Sequence, residues 1–406
     1  MPESQRRVVI TGLGVVSPIG TGIAAFGAAI RAGVVGTREI TSFDVSGFPY
    51  VQAGEVPDFD PAAGVSRLDP SRWGRSSLFA AVAARQAVTD SGIDPELLSR
   101  SAAGSIMGTT GGETIPLQQL TEQWYADGYK SLDGRLVRQV PLGQIAAAVN
   151  TELRLDGEAQ TVPTACGASN FALGYAYDLV RTGEADFILA GGAESVNRAA
   201  HAGFYSIGAL APQNCLPFDK DRAGTLSAEG GVALFVETLA SAQARGARIY
   251  AEVLGYGMNC DARHMVNPDS DSIADCIRLA HQAAGVVPAD IDYICAHGTG
   301  TPTNDVTEAT AVRAVFGDRI PPMSSIKSML GHSFGAASGF GAAACCLALS
   351  EGFLPPTANL STLDPRLGAG LDPVPGTARP ATPAIVENHG FAFGGNNAVV
   401  ILGAVR

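Results

Sequence analysis

Cys166-Gly167-Ala168-Ser169-Asn170 opens a run that reads as a helix as far as Thr182-Gly183, and His332-Ser333-Phe334-Gly335-Ala336-Ala337 opens a second that reaches Glu351-Gly352. Each starts at a residue able to do chemistry, passes through small residues and closes at glycine after about four turns. Small residues let a helix start tightly after a turn and pack closely on its neighbours. Two such units point to a duplicated α/β architecture with one reactive group in each half. Gly/Ala-rich helices also resemble one another by composition, so the echo gains weight only from its surroundings.

Around these two runs, apolar β-branched segments alternate with alanine-rich ones. Arg7-Val8-Val9-Ile10 reads as a strand ending at Gly12-Leu13-Gly14, and Ser77 to Ser91 as a helix stopping near Gly92. Gly104 to Gly108 reads as a short strand that breaks into Thr109-Thr110-Gly111-Gly112. Asp186 to Ala190 is a buried strand ending at a Gly-Gly pair, and Ala398 to Leu402 closes the chain as a strand. This alternation argues α/β layering rather than an all-helical or all-β fold. The polar interruption Ser241 to Gly246 divides the chain into halves at 1–240 and 241–406.

Composition narrows the function. The 406 residues are 46% hydrophobic and 16% charged, enough apolar matter for a large core and too little charge for a disordered chain. The net charge of −12 argues against a nucleic-acid partner, which would need a basic surface. Met1 to Arg7 is polar, and the apolar stretches Val8–Val16 and Phe340–Leu349 are shorter than a membrane span. The seven cysteines form an odd, sparse set without a CxxC pair, and Cys345 and Cys346 on one helix point about 100° apart. We therefore expect a cytoplasmic protein with reduced thiols, no metal and no membrane partner.

Five residues stand out chemically. Cys166, at a strand-to-helix turn in Val162-Pro163-Thr164-Ala165-Cys166, would meet the free N–H groups and dipole of a helix N-terminus. These favour thiolate and can double as an oxyanion hole. On spacing alone an inert core cysteine is the plainer reading. His297, between an apolar run and Gly298-Thr299-Gly300-Thr301, suits acid/base or hydrogen-bond work, and equally a structural core histidine. His332 in Leu330-Gly331-His332 divides the same way. Lys327, if buried, requires a partner carboxylate, for which Glu308 is the candidate; an exposed lysine is the simpler alternative. Together they form a set suited to carrying an acyl group and handling a carboxylate or enolate.

Taken with their neighbours, these residues resemble the elongating β-ketoacyl-acyl-carrier-protein synthases, decarboxylating condensing enzymes of the thiolase superfamily. The resemblance spans almost the whole chain. It rests on Val8 to Gly20, Thr164-Ala165-Cys166, Ala185-Asp186, Gly191-Gly192-Ala193-Glu194 and Pro217-Phe218-Asp219-Lys220-Asp221-Arg222. It continues through Asp261-Ala262-Arg263-His264-Met265, His297 to Thr301, Lys327 to His332 and Phe391-Ala392-Phe393-Gly394-Gly395. It implies an α/β fold of the duplicated five-layered αβαβα thiolase type.

The resemblance also implies roles by position. Cys166 takes the acyl chain from an acyl carrier protein as a thioester. His297 and His332 promote malonyl decarboxylation and stabilise the enolate, Lys327 organises the pair with Glu308 as counter-ion, and the N–H groups of Cys166 and Phe393 form the oxyanion hole. Thr299 and Thr301 hold the phosphopantetheine arm, which arrives on the carrier, so no separate cofactor is implied. Asp261 and His264 match a loop that gates the site together with the Phe391–Phe393 loop. Arg67, Arg72 and Arg75, crowded around Trp73, match the carrier-docking segment; the plain alternative is a solvated basic face.

Three departures bear on subtype. Thr225 stands where the family has an aromatic, Asn396 where it has threonine, and Ala392 where it has glycine. Gly111 stands where elongation enzymes often carry a bulky stop, which implies a deeper acyl pocket. His297 to Asp305 looks closer to polyketide ketosynthases, so a type II polyketide enzyme, making a polyene or reduced chain, is preferred over a fatty-acid elongation synthase. The former implies a Cys-less chain-length-factor paralogue as partner, the latter a homodimer. A thiolase would use a second cysteine as base, an initiating synthase Cys-His-Asn, and a silent partner subunit would lack Cys166. A thioester hydrolase would release free acid without consuming malonyl groups.

Overall fold

The structure, a computed structural model, describes residues 6–405; the polar opening residues before them and the final residue lie outside. The chain runs β1 (Val8–Ser17), α1 (Arg75–Ser91), β2 (Ala103–Gly108), α2 (Gln144–Leu153), β3 (Ala159–Val162), α3 (Ala168–Thr182), β4 (Phe187–Glu194), β5 (Gly230–Thr238). It then repeats the order as β6 (Ala251–Cys260), α4 (Ser270–Ala284), β7 (Tyr293–Cys295), α5 (Pro302–Phe316), β8 (Met323–Ser324), α6 (Ala337–Glu351), β9 (Ile385–Phe391), β10 (Asn396–Gly403).

Strand pairing repeats as well. β1 lies antiparallel to β5 and β5 to β4, while β2 is parallel to β4 and β3 to β2. In the second half β6 is antiparallel to β10 and β10 to β9, with β7 parallel to β9 and β8 to β7. β1 and β6 pair at Val8–Ile10 with Ala251–Val253, joining both halves edge to edge. Strands such as β1, β4 and β5 are almost wholly buried, as expected of sheets covered on both faces.

Three large apolar cores fill the boundaries of five layers, the central one covering both faces of the middle helical layer. One lies between α1, α2 and the first half-sheet, including Phe79, Val149 and Phe235. A second lies between α4, α5 and the second half-sheet, including Ile277, Val312 and Ile401. The central core surrounds α3 and α6, with Leu173, Ala176, Phe340 and Leu347 among its members. The αβαβα order read from the family resemblance is present.

The glycines within β1 do not end it. The strand continues through Gly12-Leu13-Gly14 because α1 packs directly on it: a Cβ at either glycine would strike a carbonyl oxygen of α1, that of Ala87 or Ala83. β4 likewise continues through Gly191-Gly192 to Glu194. The polar interruption after β5 forms a short helix, Leu239–Ala244.

The echo of the two central helices holds in detail, with one shift. Each is 15 residues long and closes on a left-handed glycine, Gly183 or Gly352. Each follows a three-residue 3-10 turn whose first residue has positive φ, Ala165 at 54° and Phe334 at 45°. This alignment places Cys166 opposite Gly335, not His332, which stands three residues earlier. The turns cross closely. Ser169 Oγ donates to the Gly335 carbonyl at 2.6 Å, and a Cβ at Gly335 would collide with the Thr109 backbone. With its turn, α6 forms an 18-residue segment, Phe334–Glu351, longer than the sequence suggested and apolar enough to cross a membrane, but 83% of it is buried inside the protein.

Candidate active site

Cys166 is the middle residue of the turn before α3, buried and lining a cavity of about 240 Å3. The positive φ of Ala165 is a conformation that costs about 1–3 kcal/mol in a non-glycine residue, and the surrounding packing holds it. The backbone N–H groups of Phe393 and of Cys166 itself both act on the sulfur. Contrary to the thiolate expected from the helix N-terminus, burial pushes the thiol up to about 11; Lys327 and the two N–H groups pull the other way without prevailing. The thiol rests protonated.

His297 follows β7 and His332 follows the helical turn Lys327–Leu330; both line the same cavity. Their rings meet edge to face with centroids 5.5 Å apart. Burial, joined by the charge of Lys327, holds both well below the ordinary histidine value, so both are neutral. Each buries Nδ1 without a hydrogen-bond partner among the described residues. An orphaned acceptor is more tolerable than an orphaned N–H, which places the proton on Nε2.

Lys327 is buried, but the expected ion pair with Glu308 is not made. Its Nζ donates to the His297 carbonyl at 2.5 Å, and burial lowers its pKa. Glu308 acts elsewhere: its two oxygens accept the N–H groups of His297 and Gly298, both at 2.8 Å. It also faces His389 Nδ1 at 3.0 Å, a residue the motif reading did not single out. A carbonyl serves Lys327 where a carboxylate was expected because the backbone of the His297 loop turns toward it while Glu308 grips the same loop by its amides. Strand alternation was the available signal: Glu387 and His389 sit two apart and share one face of β9.

The rest of the predicted set is placed as follows. Thr225, Thr299, Thr301, Asp261, His264, Phe391 and Phe393 all line the cavity. Thr299 and Thr301 share a hydroxyl–hydroxyl hydrogen bond of 2.9 Å, and Thr301 also caps α5. Thr225 is buried and lines the cavity together with Cys166. His264 Nδ1 accepts the N–H groups of Val266 and Asn267, shaping the loop after β6. Phe393 stacks on Phe204, which in turn meets Phe334 beside His332.

Two expectations fail. Gly111 does not line the cavity: it is exposed, its N–H donates to Glu194, and a Cβ there would meet Thr114 Oγ1 and Glu194. Within this chain, therefore, Gly111 opens no deeper pocket. Arg75 is not free to dock a partner, because it pairs with the fully buried Glu229 at 2.5 Å and covers the Phe79 ring. Arg67 and Arg72 are exposed. Glu194, quoted above only as part of a motif, binds the Thr110, Gly111 and Gly335 N–H groups, and burial pushes it up to about 7. Among the described residues no group of three His, Cys, Asp or Glu side chains is placed to hold a metal ion.

The chain is similar to known proteins over almost its whole length. Residues 5–242 match the family model described as beta-ketoacyl synthase, N-terminal domain, and residues 250–361 match the C-terminal domain. The chain is 40% identical to a putative polyketide beta-ketoacyl synthase 1 of Streptomyces cyaneus, over 98% of each. It is 35% identical to 3-oxoacyl-[acyl-carrier-protein] synthase 2 of Coxiella burnetii, over 99% of each. A structure of the ishigamide ketosynthase/chain length factor superposes with a TM-score of 0.97 at 48% identity, covering 99% of this chain and 100% of that one.

Proposed function

The chain belongs to the β-ketoacyl synthase family, and from that premise we propose how its own residues divide the reaction of a β-ketoacyl-[acyl-carrier-protein] synthase. Such an enzyme joins an acyl chain to a malonyl unit on acyl carrier protein by decarboxylative Claisen condensation. The observation that carries the reading is Cys166 at the turn before α3, in one cavity with two neutral histidines.

Cys166 attacks the carbonyl of the incoming carrier thioester. The developing oxyanion is met by the N–H groups of Cys166 and Phe393, and each such donor typically contributes about 2.7–4 kcal/mol. The carrier's phosphopantetheine sulfur leaves and takes the proton that Cys166 gives up. A malonyl-carrier then places its thioester oxygen at the Nε2–H donors of His297 and His332. As CO2 departs, its bonding electrons form the enolate that these neutral donors hold; an imidazolium would instead bind the carboxylate and favour the ground state. The enolate carbon attacks the acyl-Cys carbonyl, the Cys166 sulfur leaves, and a β-ketoacyl chain two carbons longer remains on the carrier. Lys327, gripping the His297 carbonyl, orients that loop. Thr299 and Thr301 receive the arm at the cavity wall, and Asp261, His264 and the Phe391–Phe393 loop frame its entrance. The arm comes with its carrier, so the chain needs no cofactor of its own.

The pathway we favour is type II polyketide synthesis, with a reduced or polyene chain as the product class; the likenesses to a ketosynthase/chain length factor and to a polyketide beta-ketoacyl synthase support its polyketide part. Fatty-acid elongation is the second reading, supported by the likeness to the Coxiella synthase. We place the enzyme in the cytoplasm, with the polar interruption at 240–241 dividing its halves. Its partner is a second subunit, either a Cys-less chain-length-factor paralogue or another copy. β3 ends the sheet with Ala159 and Gln160 exposed, and Trp124 and Tyr125 are 61% and 89% exposed.

Intact-mass spectrometry with acyl-carrier thioesters tests the chemistry. An acyl adduct on the wild type and none on Cys166→Ala is expected. Equal labelling of both proteins would remove Cys166 as the nucleophile.

A further inference from the structure

Behind the catalytic loop lies a row of four buried ionisable side chains. His281 Nε2, on α4, faces Glu387 Oε2 at 2.7 Å; Glu387 Oε1 faces His389 Nε2 at 2.9 Å; and His389 Nδ1 faces Glu308 Oε1 at 3.0 Å. Glu387, His389 and Glu308 are shut off from solvent. The row ends on the reaction, because Glu308 holds the amides of His297 and Gly298.

His389 has a carboxylate at each ring nitrogen. A neutral imidazole has one N–H and would point a lone pair at one of them, so the geometry calls for the doubly protonated cation. Its carboxylate bonds raise it to about 9 against the effect of burial. Ionisable groups near the row include Lys327, held on the His297 carbonyl, His297 itself, Asp305 three residues before Glu308 on α5, and the Cys295, Cys276 and Cys345 thiols. His389 also packs on Phe391, whose ring meets His297.

We propose that His389 is a positioning residue for decarboxylation: held between Glu387 and Glu308, it fixes the Glu308 carboxylate on the His297 loop and so sets the aim of the His297 ring. Removing the cation leaves two buried carboxylates with one fewer positive charge between them. Glu308 then shifts toward other donors and releases the loop. Acyl transfer to Cys166 uses the N–H groups of Cys166 and Phe393, which this row does not touch, and is spared.

This inference rests on the function proposed above, and the test separates the two. Wild type, His389→Gln and the charge-balanced His389→Gln/Glu387→Gln are compared in two assays: acyl loading of Cys166 by intact mass, and CO2 release from malonyl-carrier. Wild type that loads no acyl chain would contradict the function itself. With wild type active, we expect His389→Gln to load normally and to decarboxylate about 30-fold more slowly, the scale of losing an orienting partner. The double variant, with its charges rebalanced, should return to within about 5-fold of wild type. A parallel fall in both assays, unchanged decarboxylation in the single variant, or a double variant no faster than the single would each overturn the proposal. If the single variant does not fold, the double decides alone: normal loading with decarboxylation about 2- to 5-fold below wild type supports the proposal, and decarboxylation equal to wild type, or loss of both activities, overturns it.

Discussion

With its thiol pushed up to about 11 by burial, Cys166 should react with iodoacetamide at a rate that climbs tenfold per pH unit from 7 toward about 11. A plateau near pH 7 would show that the helix terminus and Lys327 outweigh desolvation. His297 and His332 give a second expectation of opposite direction. Their folded values lie well below the ordinary 6.5, so the stability they contribute is complete above that value and is lost as pH falls toward the folded values. Decarboxylation should show no acid limb near pH 6.5; one centred there would mean a solvated histidine. His389 behaves inversely. Raised to about 9, it contributes stability that is complete below 6.5 and lost as pH rises through about 9. The identities of Cys166, His297, His332 and Lys327 were legible from motif order, because each chemistry needs that residue type in that place. Their charge states were not, since desolvation depends on layers far apart in the chain. Nor were the hydrogen-bond partners of Glu308, which only the packed loop reveals.

α3 and α6 meet at turns with no room to spare, and this makes a sharp contrast between two glycines. Gly335→Ala drives a Cβ into the Thr109 backbone and should lower stability by about 1–3 kcal/mol, read from a denaturant midpoint. Gly203→Ala, in the helix Arg198–Ser206 with open space around it, should be neutral or gain about 0.4–1 kcal/mol. A large loss at Gly203 would mean that a partner fills that space. The two central helices were readable because small residues after a turn and a closing glycine are local signals. Strand ends were less readable: Gly12, Gly14, Gly191 and Gly192 look like terminators, but here they let helices or crossing backbone sit against a continuing strand. Such close approach is a tertiary requirement, invisible to local propensity.

On a chain of net charge −12, electrostatic docking of the carrier proposed above would depend on a local basic patch. Arg67 and Arg72 are exposed near Trp73, whereas Arg75 is consumed by Glu229. Reversing Arg67 and Arg72 to Glu should raise the apparent KM for carrier-borne substrates and leave a small thioester mimic unaffected; equal losses on both would place docking elsewhere. Duplication was visible in the sequence as one pair of similar helices, and the folded chain extends it to every strand of both half-sheets. What decides the account is carbon–carbon bond formation itself. Acyl-loaded protein, with its paralogue present if one is needed, is mixed with malonyl-carrier, and the carrier's mass is followed together with released CO2. A β-keto product two carbons longer, formed one for one with CO2, is the expected result. Release of free acid with malonyl-carrier left intact would contradict it and make Cys166 the nucleophile of a hydrolase.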